Sequence, residues 1–580
     1  MTSAQESSDN IPLLIPQSRG FTDENKTGFW RFVRPCYENK TAPCSAACPV
    51  GEDISRIEML VARGLFKQAW ETILQENPFP SVCGRVCFHP CEKSCNRKDL
   101  DQPVSINRLE RFIGDTAVQD DMIPALKLLP STGKKIAVIG AGPAGLSMAW
   151  FATQLGYQCD VFEAQSSPGG LLRWGIPGYR LPDSVLSSEI RRIRNLGVNI
   201  QCDRPVDREF LASAGTSYDA VFVGCGHGRS LPMNVPGEDT ALDGLEFLRN
   251  IRNGSAAPIH GEVAVIGGGN SAVDVARSLI RTGARPVIIY RRRKIDMPAF
   301  EHEIRTAVKE GIDIRELLSP VRIDSTDDGY VITLQKMKVS DTDTDGRARV
   351  IPESSNTRTM RFSRIFSAIG AEAEARWRPP YHLHDRSILH LSHCILQQVD
   401  LPIVYGGDLT NDVKSVTDAI ASGKQAAMAL DLLFKKGKDA IKEELAACRI
   451  GNGPSLSMEI YLGGERKQRS AHVVAFSEIN TDYFMPSART EHPRLPIKEG
   501  IRSFAETDHT FPFPQAIQEA QRCFNCGLCN DCDNCRVFCP EVAVKADSSG
   551  RTIDLAYCKG CGICVEECPR NAMAIEEENI

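Results

Sequence analysis

The C-terminal end of the chain carries two runs of closely spaced cysteines. Residues 558–569 read Cys-x2-Cys-x2-Cys-x3-Cys-Pro, and residues 529–540 repeat that spacing. In two-cluster iron–sulfur proteins such a run supplies three thiolates to one [4Fe-4S] cluster and the fourth to the other. The predicted ligand sets are Cys529, Cys532, Cys535 with Cys568, and Cys558, Cys561, Cys564 with Cys539. Structural zinc is the alternative, although zinc motifs do not need this doubled pattern.

A second set of cysteines lies near the N-terminus and is less regular. Its members are Cys36, Cys44, Cys48, Cys83, Cys87, Cys91 and Cys95. A spacing of four residues puts neighbouring thiolates on one helical face, and spacing alone leaves zinc and iron–sulfur both open. Cys523 and Cys526 precede the C-terminal runs and are left over, or compete as ligands there. The remaining five cysteines are predicted to be small apolar core residues. These are Cys159, Cys202, Cys225, Cys394 and Cys448.

Residues 134–163 have the pattern of a dinucleotide site. An apolar strand runs into Gly140, Gly142 and Gly145, a helix follows, and the next strand ends in Glu163, eighteen residues after Gly145. The first glycine permits the tight turn, the second lets backbone approach a pyrophosphate, and the third allows close helix–strand packing. A carboxylate at the position of Glu163 binds ribose. The predicted site residues are Gly140, Gly142, Pro143, Ala144, Gly145 and Glu163.

Residues 262–294 repeat this arrangement with one difference. The loop residues are Gly267, Gly269, Asn270, Ser271 and Ala272. The strand that follows ends not in an acid but in Arg291, Arg292, Arg293 and Lys294. Arginines at this position suit a 2′-phosphate, so the site is predicted to bind NADP(H) in preference to NAD(H). The alternative to a 2′-phosphate site is that these four basic residues form a turn exposed to solvent.

Two such sites in one chain indicate a bound flavin, FAD, and an exchanging nicotinamide. The second site interrupts the sequence of the first domain. After it, Phe366–Gly370 and Tyr405–Asp408 are predicted to return to the first fold, with Gly370, Gly407 and Asp408 beside the flavin. The alternative for both segments is that they are ordinary strand ends. A helix over 415–430 would point its N-terminus at the flavin ring. No nucleophile or acid–base pair is required, because the cofactors carry the chemistry.

Composition excludes several other classes of protein. The chain has 580 residues and a net charge of −6, so no strongly basic surface awaits a nucleic acid. The first eighteen residues lack Lys and Arg, which argues against a secretory signal, and no apolar stretch reaches the length of a membrane span. We therefore expect a cytoplasmic protein, in which clustered cysteines hold metal rather than disulfides.

The elements that position these residues predict a multidomain fold. We expect an all-α iron–sulfur domain, two nested Rossmann-like α/β domains and a C-terminal α+β ferredoxin-like domain. The predicted boundaries are an N-terminal arm at 1–35, a helical iron–sulfur domain at 36–130, an FAD domain at 131–255 and 366–445, an NAD(P)H domain at 256–365, a connecting segment at 446–515 and a two-cluster ferredoxin domain at 516–580.

Longer motifs make the chain resemble a known family. They are CGRVCFHPCEKSC at Cys83–Cys95, GGLLRWGIPGYRLP at Gly169–Pro182, GGGNSA with the downstream YRRR and MPAFE, and YGGDLTNDVKSVTDAIASGKQAA at Tyr405–Ala427. Over about 36–445 the chain resembles the glutamate synthase small (β) subunit, an NAD(P)H-dependent iron–sulfur flavoprotein. The resemblance implies FAD at the first site, NADPH at the second and hydride transfer to the flavin. It also implies flavin contacts from Gly170, Leu171, Trp174, Ile176 and Arg180.

The same resemblance implies two N-terminal [4Fe-4S] clusters. One would be held by Cys48, Cys87, Cys91 and Glu110, and the other by Cys36, Cys44 and Cys95. The family has a further cysteine near position 39, where this chain has Asn39. The second N-terminal cluster could therefore recruit Cys83, use three cysteines or be absent, so one or two clusters are expected here, beside two in the tail.

The C-terminal domain goes beyond that family and resembles the δ-type ferredoxin subunit of 2-oxoacid:ferredoxin oxidoreductases. The leading hypothesis is an NAD(P)H:acceptor oxidoreductase subunit whose partner is another subunit of a redox complex, for example a 2-oxoacid oxidoreductase. One alternative is a glutamate synthase small subunit that serves a separate large subunit. Another is a non-catalytic electron-transfer scaffold with vestigial nucleotide sites.

Overall fold

A computed structural model describes residues 31–342, 348–380, 387–547 and 550–578, together with Lys26 and Gly28. The predicted arm at 1–35 lies outside the described residues over its first 25 positions. Within the described part of the chain, no helix is long and apolar enough to cross a membrane. The predicted fold class is confirmed: a helical region is followed by two sheet domains and a small α+β unit.

The N-terminal region is helical because its apolar residues recur at helical spacing. The long periodic stretch 54–74 forms two helices rather than one, broken at Arg63–Leu65 where Gly64 adopts φ +73°. One strand precedes the helices. The elements are β1 (Val33–Tyr37), α1 (Pro43–Ala47), α2 (Ile54–Ala62), α3 (Phe66–Leu74), α4 (Pro80–Val86), α5 (Pro90–Lys93) and α6 (Ile106–Gln119).

The first sheet has seven strands and belongs to the first dinucleotide domain. Its elements are β2 (Lys135–Ile139), α7 (Pro143–Gln154), β3 (Gln158–Phe162), α8 (Leu171–Trp174), α9 (Asp183–Asn195), β4 (Asn199–Gln201), α10 (Arg208–Ser213), β5 (Ala220–Val223), β16 (Ile388–His390), β17 (Cys394–Gln397), β18 (Ile403–Gly406) and α14 (Val416–Lys436). The strand order is β16-β17-β18-β5-β2-β3-β4. From β18 to β4 all pairs are parallel, and β2 is buried on both faces. Ligands of such sheets bind outside the carboxyl ends of the strands.

The second sheet is inserted between β5 and β16. Its elements are β6 (Arg229–Ser230), β7 (Leu242–Asp243), α11 (Gly244–Arg252), β8 (Glu262–Ile266), α12 (Asn270–Arg281), β9 (Arg285–Ile289), α13 (Glu301–Lys309), β10 (Asp313–Arg315), β11 (Leu318–Thr326), β12 (Gly329–Thr342), β13 (Ala348–Phe362), β14 (Arg364–Ser367) and β15 (Ala371–Glu372). Five parallel strands run in the order β10-β9-β8-β14-β7, and β11–β13 form an antiparallel meander. The two segments that connect the domains contain β6 and β15, which pair with each other in antiparallel orientation.

The structure differs from the sequence-based boundary at Phe366. Phe366 lies in β14, whose residues pair in parallel with β8 and β7 of the second sheet. The return to the first sheet comes only after β15, at Ile388. A short buried strand that ends before a glycine has the same local sequence in either sheet, so the pattern could not assign it to one.

The C-terminal quarter of the chain packs back against the N-terminal helices. Its elements are α15 (Ile441–Ala446), α16 (Met458–Tyr461), α17 (Ile497–Gly500), α18 (Phe513–Gln521), α19 (Asn534–Val537), β19 (Val544–Asp547), β20 (Gly550–Ile553), α20 (Ile563–Glu566) and β21 (Met573–Glu577). Strand β21 pairs with β1 in antiparallel register, with Cys36 opposite Ala574. The two ends of the described chain thus share one ribbon, which the sequence did not predict.

Candidate redox site

In the loop after β2, Gly142 is the one glycine with enough free space beside its backbone for a ligand to approach. A Cβ added at Gly142 would meet a single protein atom, the Cα of Gly170, at 3.9 Å. A Cβ at Gly145 would instead lie 2.0 Å from the Gly140 carbonyl oxygen, because α7 packs tightly on its strand. Gly142 precedes α7, whose first N–H groups face this space. The loop therefore offers a cradle of the kind that receives a pyrophosphate.

Two acidic residues flank this cradle. The carboxylate of Glu163 accepts hydrogen bonds from Ala141 N at 2.8 Å and Gln165 N at 2.9 Å, which fixes it at the end of β3. Asp408 lies after β18, where burial raises the pKa of its carboxyl and His227 and Lys414 oppose that shift. Gly407 has φ +66°, and a Cβ there would lie 2.9 Å from the Cβ of Ala144. Asp408 is thereby brought next to the start of α7.

The segment 169–182 lies between the two dinucleotide domains. Gly170 (φ +54°) begins α8 against Gly142, and Trp174 and Ile176 are half-buried. Leu171 is largely exposed. Arg180 was predicted to contact the flavin, but the structure places its guanidinium in buried ion pairs with Asp274 at 2.7 Å and Glu303 at 3.0 Å. These pairs join the segment 169–182 to α12 and α13 of the second domain.

The second dinucleotide loop is braced by the MPAFE segment. Phe300 N donates to Asn270 Oδ1 at 3.0 Å, and Ala299 N donates to the Gly268 carbonyl at 3.2 Å. A Cβ at Gly269 would meet nothing within 4 Å, so the backbone is open to a ligand at the start of α12. Ser271 is half-buried and Ala272 is fully buried in the helix. Gly370, by contrast, lies in the crossing between the domains, where its carbonyl accepts from Leu231 N.

The basic residues after β9 differ in their contacts. Arg293 forms a two-armed ion pair with Asp296, at 2.7 Å and 3.0 Å. Arg291 is exposed and Arg292 half-buried at the end of the strand. Both follow β9, where the fingerprint predicts the ribose of a bound dinucleotide, and their role in binding it stays a prediction.

The tail cysteines line two small cavities. One is bounded by Cys529, Cys532, Cys535 and Cys568, and the other by Cys539, Cys558, Cys561 and Cys564. These sets, named here the first and second tail groups, have the membership that crossing predicts. Backbone N–H groups donate to sulfur in both groups, from Gly560 to Cys558 at 3.4 Å and from Ala572 to Cys568 at 3.3 Å. Such bonds stabilise thiolates.

Cys48, Cys87 and Cys91 lie together in the helical domain and are named here, with Glu110, the proximal group. Burial raises the pKa of the Cys87 thiol first, and Glu110 and Cys48 raise it further. Asn77 Nδ2 donates to Glu110 at 2.9 Å and to Glu52 at 2.8 Å. Cys83 is 1% exposed, and its thiol lies near Glu110 and Cys87.

The other predicted N-terminal set is only partly brought together, because Cys36 lies apart from Cys44 and Cys95. Cys36 lies in the β1–β21 ribbon, with its sulfur 3.7 Å from the Ala574 carbonyl and with Glu576 and Glu38 as charged neighbours. Cys44 and Cys95 are buried elsewhere, among Cys523 and Cys526. Asn39 Oδ1 accepts from Cys529 N at 3.2 Å. Sequence reasoning thus missed Cys523 and Cys526 here, although their own Cys-x2-Cys spacing was a signal.

Comparison with known proteins adds three matching family models. A model described as dihydropyrimidine dehydrogenase domain II, 4Fe-4S cluster, matches residues 30–122, and a 4Fe-4S binding domain matches residues 551–574. The pyridine nucleotide-disulphide oxidoreductase model matches residues 134–423, half of the chain. The chain belongs to the pyridine nucleotide-disulphide oxidoreductase family. It is a flavin- and iron–sulfur-dependent NAD(P)H oxidoreductase subunit, as predicted.

Three curated relatives extend over much of the oxidoreductase. The NADP(+)-dependent formate dehydrogenase subunit beta of Moorella thermoacetica is 32% identical over 84% of this chain and 70% of its own length. The NADPH-Fe(3+) oxidoreductase subunit beta of Geobacter sulfurreducens is 30% identical over 84% and 75%. The NAD-dependent dihydropyrimidine dehydrogenase subunit PreT of Salmonella typhimurium is 33% identical over 72% and 98%.

The residues of the oxidoreductase fit the cofactors of its family, which are FAD, NAD(P)H and [4Fe-4S] clusters. The open cradle at Gly142 suits the FAD pyrophosphate, and the two tail cavities present four thiols each. None of the 22 cysteines, all of which lie in the described part of the chain, forms a disulfide bond. Among the described residues, no group of three or more Cys, His, Asp or Glu side chains is placed to hold a single metal ion. The thiolates of a [4Fe-4S] cluster bind different irons and do not converge on one point. The assignment of individual residues to each cofactor stays a prediction.

Proposed function

We propose that the chain oxidises NADPH at the second dinucleotide site and delivers the electrons singly, through its cysteine groups, to a partner subunit at the ferredoxin end. When bound, FAD supplies the exchange between a two-electron nicotinamide and one-electron clusters. The chain's own residues hold these groups in order. Arg180 joins the segment 169–182 to α12, while α14 joins the first site to the helical domain.

The observation that carries this proposal is that the cysteine groups extend from a position beside the flavin domain to the protein surface. Lys424 of α14 is 1% exposed and donates to Glu76 at 2.6 Å and to the carbonyl of Val50, two residues after Cys48. The proximal group is therefore adjacent to the flavin domain. At the other end, Cys532 and Cys561 of the tail groups are exposed. An exposed cluster is suited to electron exchange with another protein.

In this proposal, the partner subunit determines which terminal acceptor is reduced. The three relatives are named as subunits for formate, Fe(3+) and dihydropyrimidine chemistry, yet each is 30–33% identical to this chain. We infer that one type of electron-transfer subunit serves different terminal reactions, and a 2-oxoacid oxidoreductase is a further candidate on the resemblance of the tail. We assign the chain to the cytoplasm, where reducing conditions keep thiolates available for clusters.

The proposal is tested by replacing Cys561 with Ser in the full chain, purified without oxygen. NADPH should still bleach the flavin absorbance, because both dinucleotide sites are intact. Reduction of a small bacterial-type ferredoxin should fall about tenfold or more, since the exit group is impaired. Cys202→Ser, a half-buried cysteine outside the groups, is the matched control. Equal ferredoxin reduction by both variants would refute the tail as the exit, and wild-type flavin that NADPH cannot bleach would refute the proposal altogether.

A further inference from the structure

The loop that carries Cys523 and Cys526 is docked onto the N-terminal helical domain at both of its ends. Arg97 Nη1 donates to the Arg522 carbonyl at 2.9 Å, and Lys40 N donates to the Gly527 carbonyl at 2.7 Å. Between these anchors, Asn525 Nδ2 donates to the Ser55 carbonyl at 3.0 Å. Gly527 (φ +70°) turns so close to Lys40 that a Cβ there would lie 2.7 Å from its carbonyl oxygen. The loop therefore has a fixed position, although more than 400 residues separate it from its partners.

This docking brings two thiols of the loop to two thiols of the helical domain. Asn96, which follows Cys95, donates from Nδ2 to the sulfur of Cys526 at 3.5 Å. Cys44, Cys95 and Cys526 are 7%, 8% and 8% exposed in one apolar core, and Cys523 packs against it. The thiol of Cys44 lies near those of Cys95, Cys523 and Cys526, and these three thiols lie near one another. The four thiols are named here the interdomain quartet.

Two further observations indicate that the quartet binds a group beyond the protein atoms. Asn525 N donates to the sulfur of Cys523 at 3.3 Å, the same two-residue N–H to sulfur bond that Gly560 makes to Cys558 in the tail. Glu58 is 1% exposed, and its carboxyl lies near the thiols of Cys44, Cys95 and Cys523. Neither carboxyl oxygen of Glu58 has a hydrogen-bond partner among the described residues. A buried polar group without a partner indicates that a polar group beyond the protein atoms completes the site.

We propose that Cys44, Cys95, Cys523 and Cys526 together bind a [4Fe-4S] cluster that joins the helical domain to the ferredoxin tail. The loop supplies the two thiolates that residues 36 and 39 do not, because Cys36 lies in the β1–β21 ribbon and position 39 is an asparagine. The cluster would hold the two ends of the chain together covalently through iron. It would also make four clusters in all, two of them in the tail.

The position of the quartet makes the cysteine groups continuous. Cys44 of the quartet lies near Cys91 of the proximal group. Arg570, which lies over the Phe484 ring at 5.2 Å, has Cys532 and Cys568 of the first tail group and Cys523 and Cys526 of the quartet around it. Cys535 and Cys564 link the first and second tail groups. The order is proximal group, quartet, first tail group and second tail group, which deepens the proposed function but does not depend on NADPH being the donor.

The test is the iron and acid-labile sulfide content per FAD of the full chain, purified without oxygen. We expect about sixteen irons in the wild type and about twelve in Cys523→Ser/Cys526→Ser, with FAD unchanged. The matched control Cys36→Ser should keep about sixteen. Cys44 and the loop cysteines are proposed to bind the same cluster. Adding Cys44→Ser to the double variant should therefore remove no more iron than either change alone.

Other outcomes would overturn the proposal. One is that Cys36→Ser loses iron while Cys523→Ser/Cys526→Ser does not, and another is that both keep the full iron content. The third is that adding Cys44→Ser to Cys523→Ser/Cys526→Ser removes further iron. If the double variant is insoluble, the single Cys526→Ser decides, since one oxygen for sulfur preserves the packing. It should change the EPR spectrum of one reduced cluster among four, and an unaltered spectrum would refute the quartet. NADPH bleaching of the flavin is measured on the same samples, so a failure of the proposed function is seen separately.

Discussion

Replacing Gly142 with Val is expected to give a folded chain that purifies almost free of FAD. The residue has an ordinary backbone conformation, φ −78° and ψ −178°, so a side chain causes no strain. Its Cβ would meet only the Gly170 Cα, at 3.9 Å, and the added methyl groups would extend into the space that the pyrophosphate needs. We expect the FAD content to fall from about one to below about 0.1 per chain, measured from absorbance after denaturation.

Gly215→Val is the matched control for this substitution. Gly215 lies in the same domain, at an exposed position of the short 3-10 helix Ala214–Thr216, and a Cβ there would also meet a single atom, of Leu401, at 3.9 Å. The control should retain FAD fully. Because the cysteine groups lie outside the loop of Gly142, both variants should keep the iron content of the wild type. Full FAD occupancy in Gly142→Val would show that the pyrophosphate does not approach this loop.

Replacing Arg291 and Arg292 with Ala should raise the Michaelis constant for NADPH about a hundredfold and that for NADH less than about threefold. Both arginines follow β9, where the fingerprint places the ribose. A 2′-phosphate there accepts charge-assisted hydrogen bonds, which NADH cannot form because it lacks that phosphate. Steady-state kinetics with ferricyanide as acceptor measures both constants, since this small oxidant does not require the ferredoxin tail.

Arg293→Ala is the matched control for the arginine pair. It removes a neighbouring positive charge, but this guanidinium is already paired with Asp296. We expect both Michaelis constants to change little. Equal increases for NADPH and NADH in Arg291→Ala/Arg292→Ala would remove the argument for a 2′-phosphate site, and the four basic residues would then be a solvated turn.

The sequence predicts the two dinucleotide sites well because their signals are local. Gly140–Gly145 and Gly267–Ala272 each follow a strand and begin a helix, and the structure has β2 with α7 and β8 with α12 at these positions. The cysteine runs of the tail are local in the same way, and crossing follows from the repeat of one spacing. These local signals predict the fold class and the cofactors, and the longer motifs carry the resemblance to the family.

What could not be predicted depends on contacts between distant segments. No period or motif relates Cys523 and Cys526 to Cys44 and Cys95, whose approach results from hydrogen bonds such as that of Arg97 to Arg522. Arg180 belongs to a flavin-side motif, yet its charge is neutralised by Asp274 of the inserted domain. The β1–β21 ribbon, which removes Cys36 from the other thiols, likewise pairs the first and last strands.

The central claim is that electrons from NADPH reach the clusters only by way of the flavin. The most direct measurement is EPR of the wild type and of Gly142→Val, frozen anaerobically after addition of NADPH and, separately, of dithionite. We predict reduced-cluster signals from the wild type with both reductants, and from Gly142→Val with dithionite alone. NADPH-reduced clusters in the FAD-free variant, or clusters in the wild type that only dithionite reduces, would contradict the account.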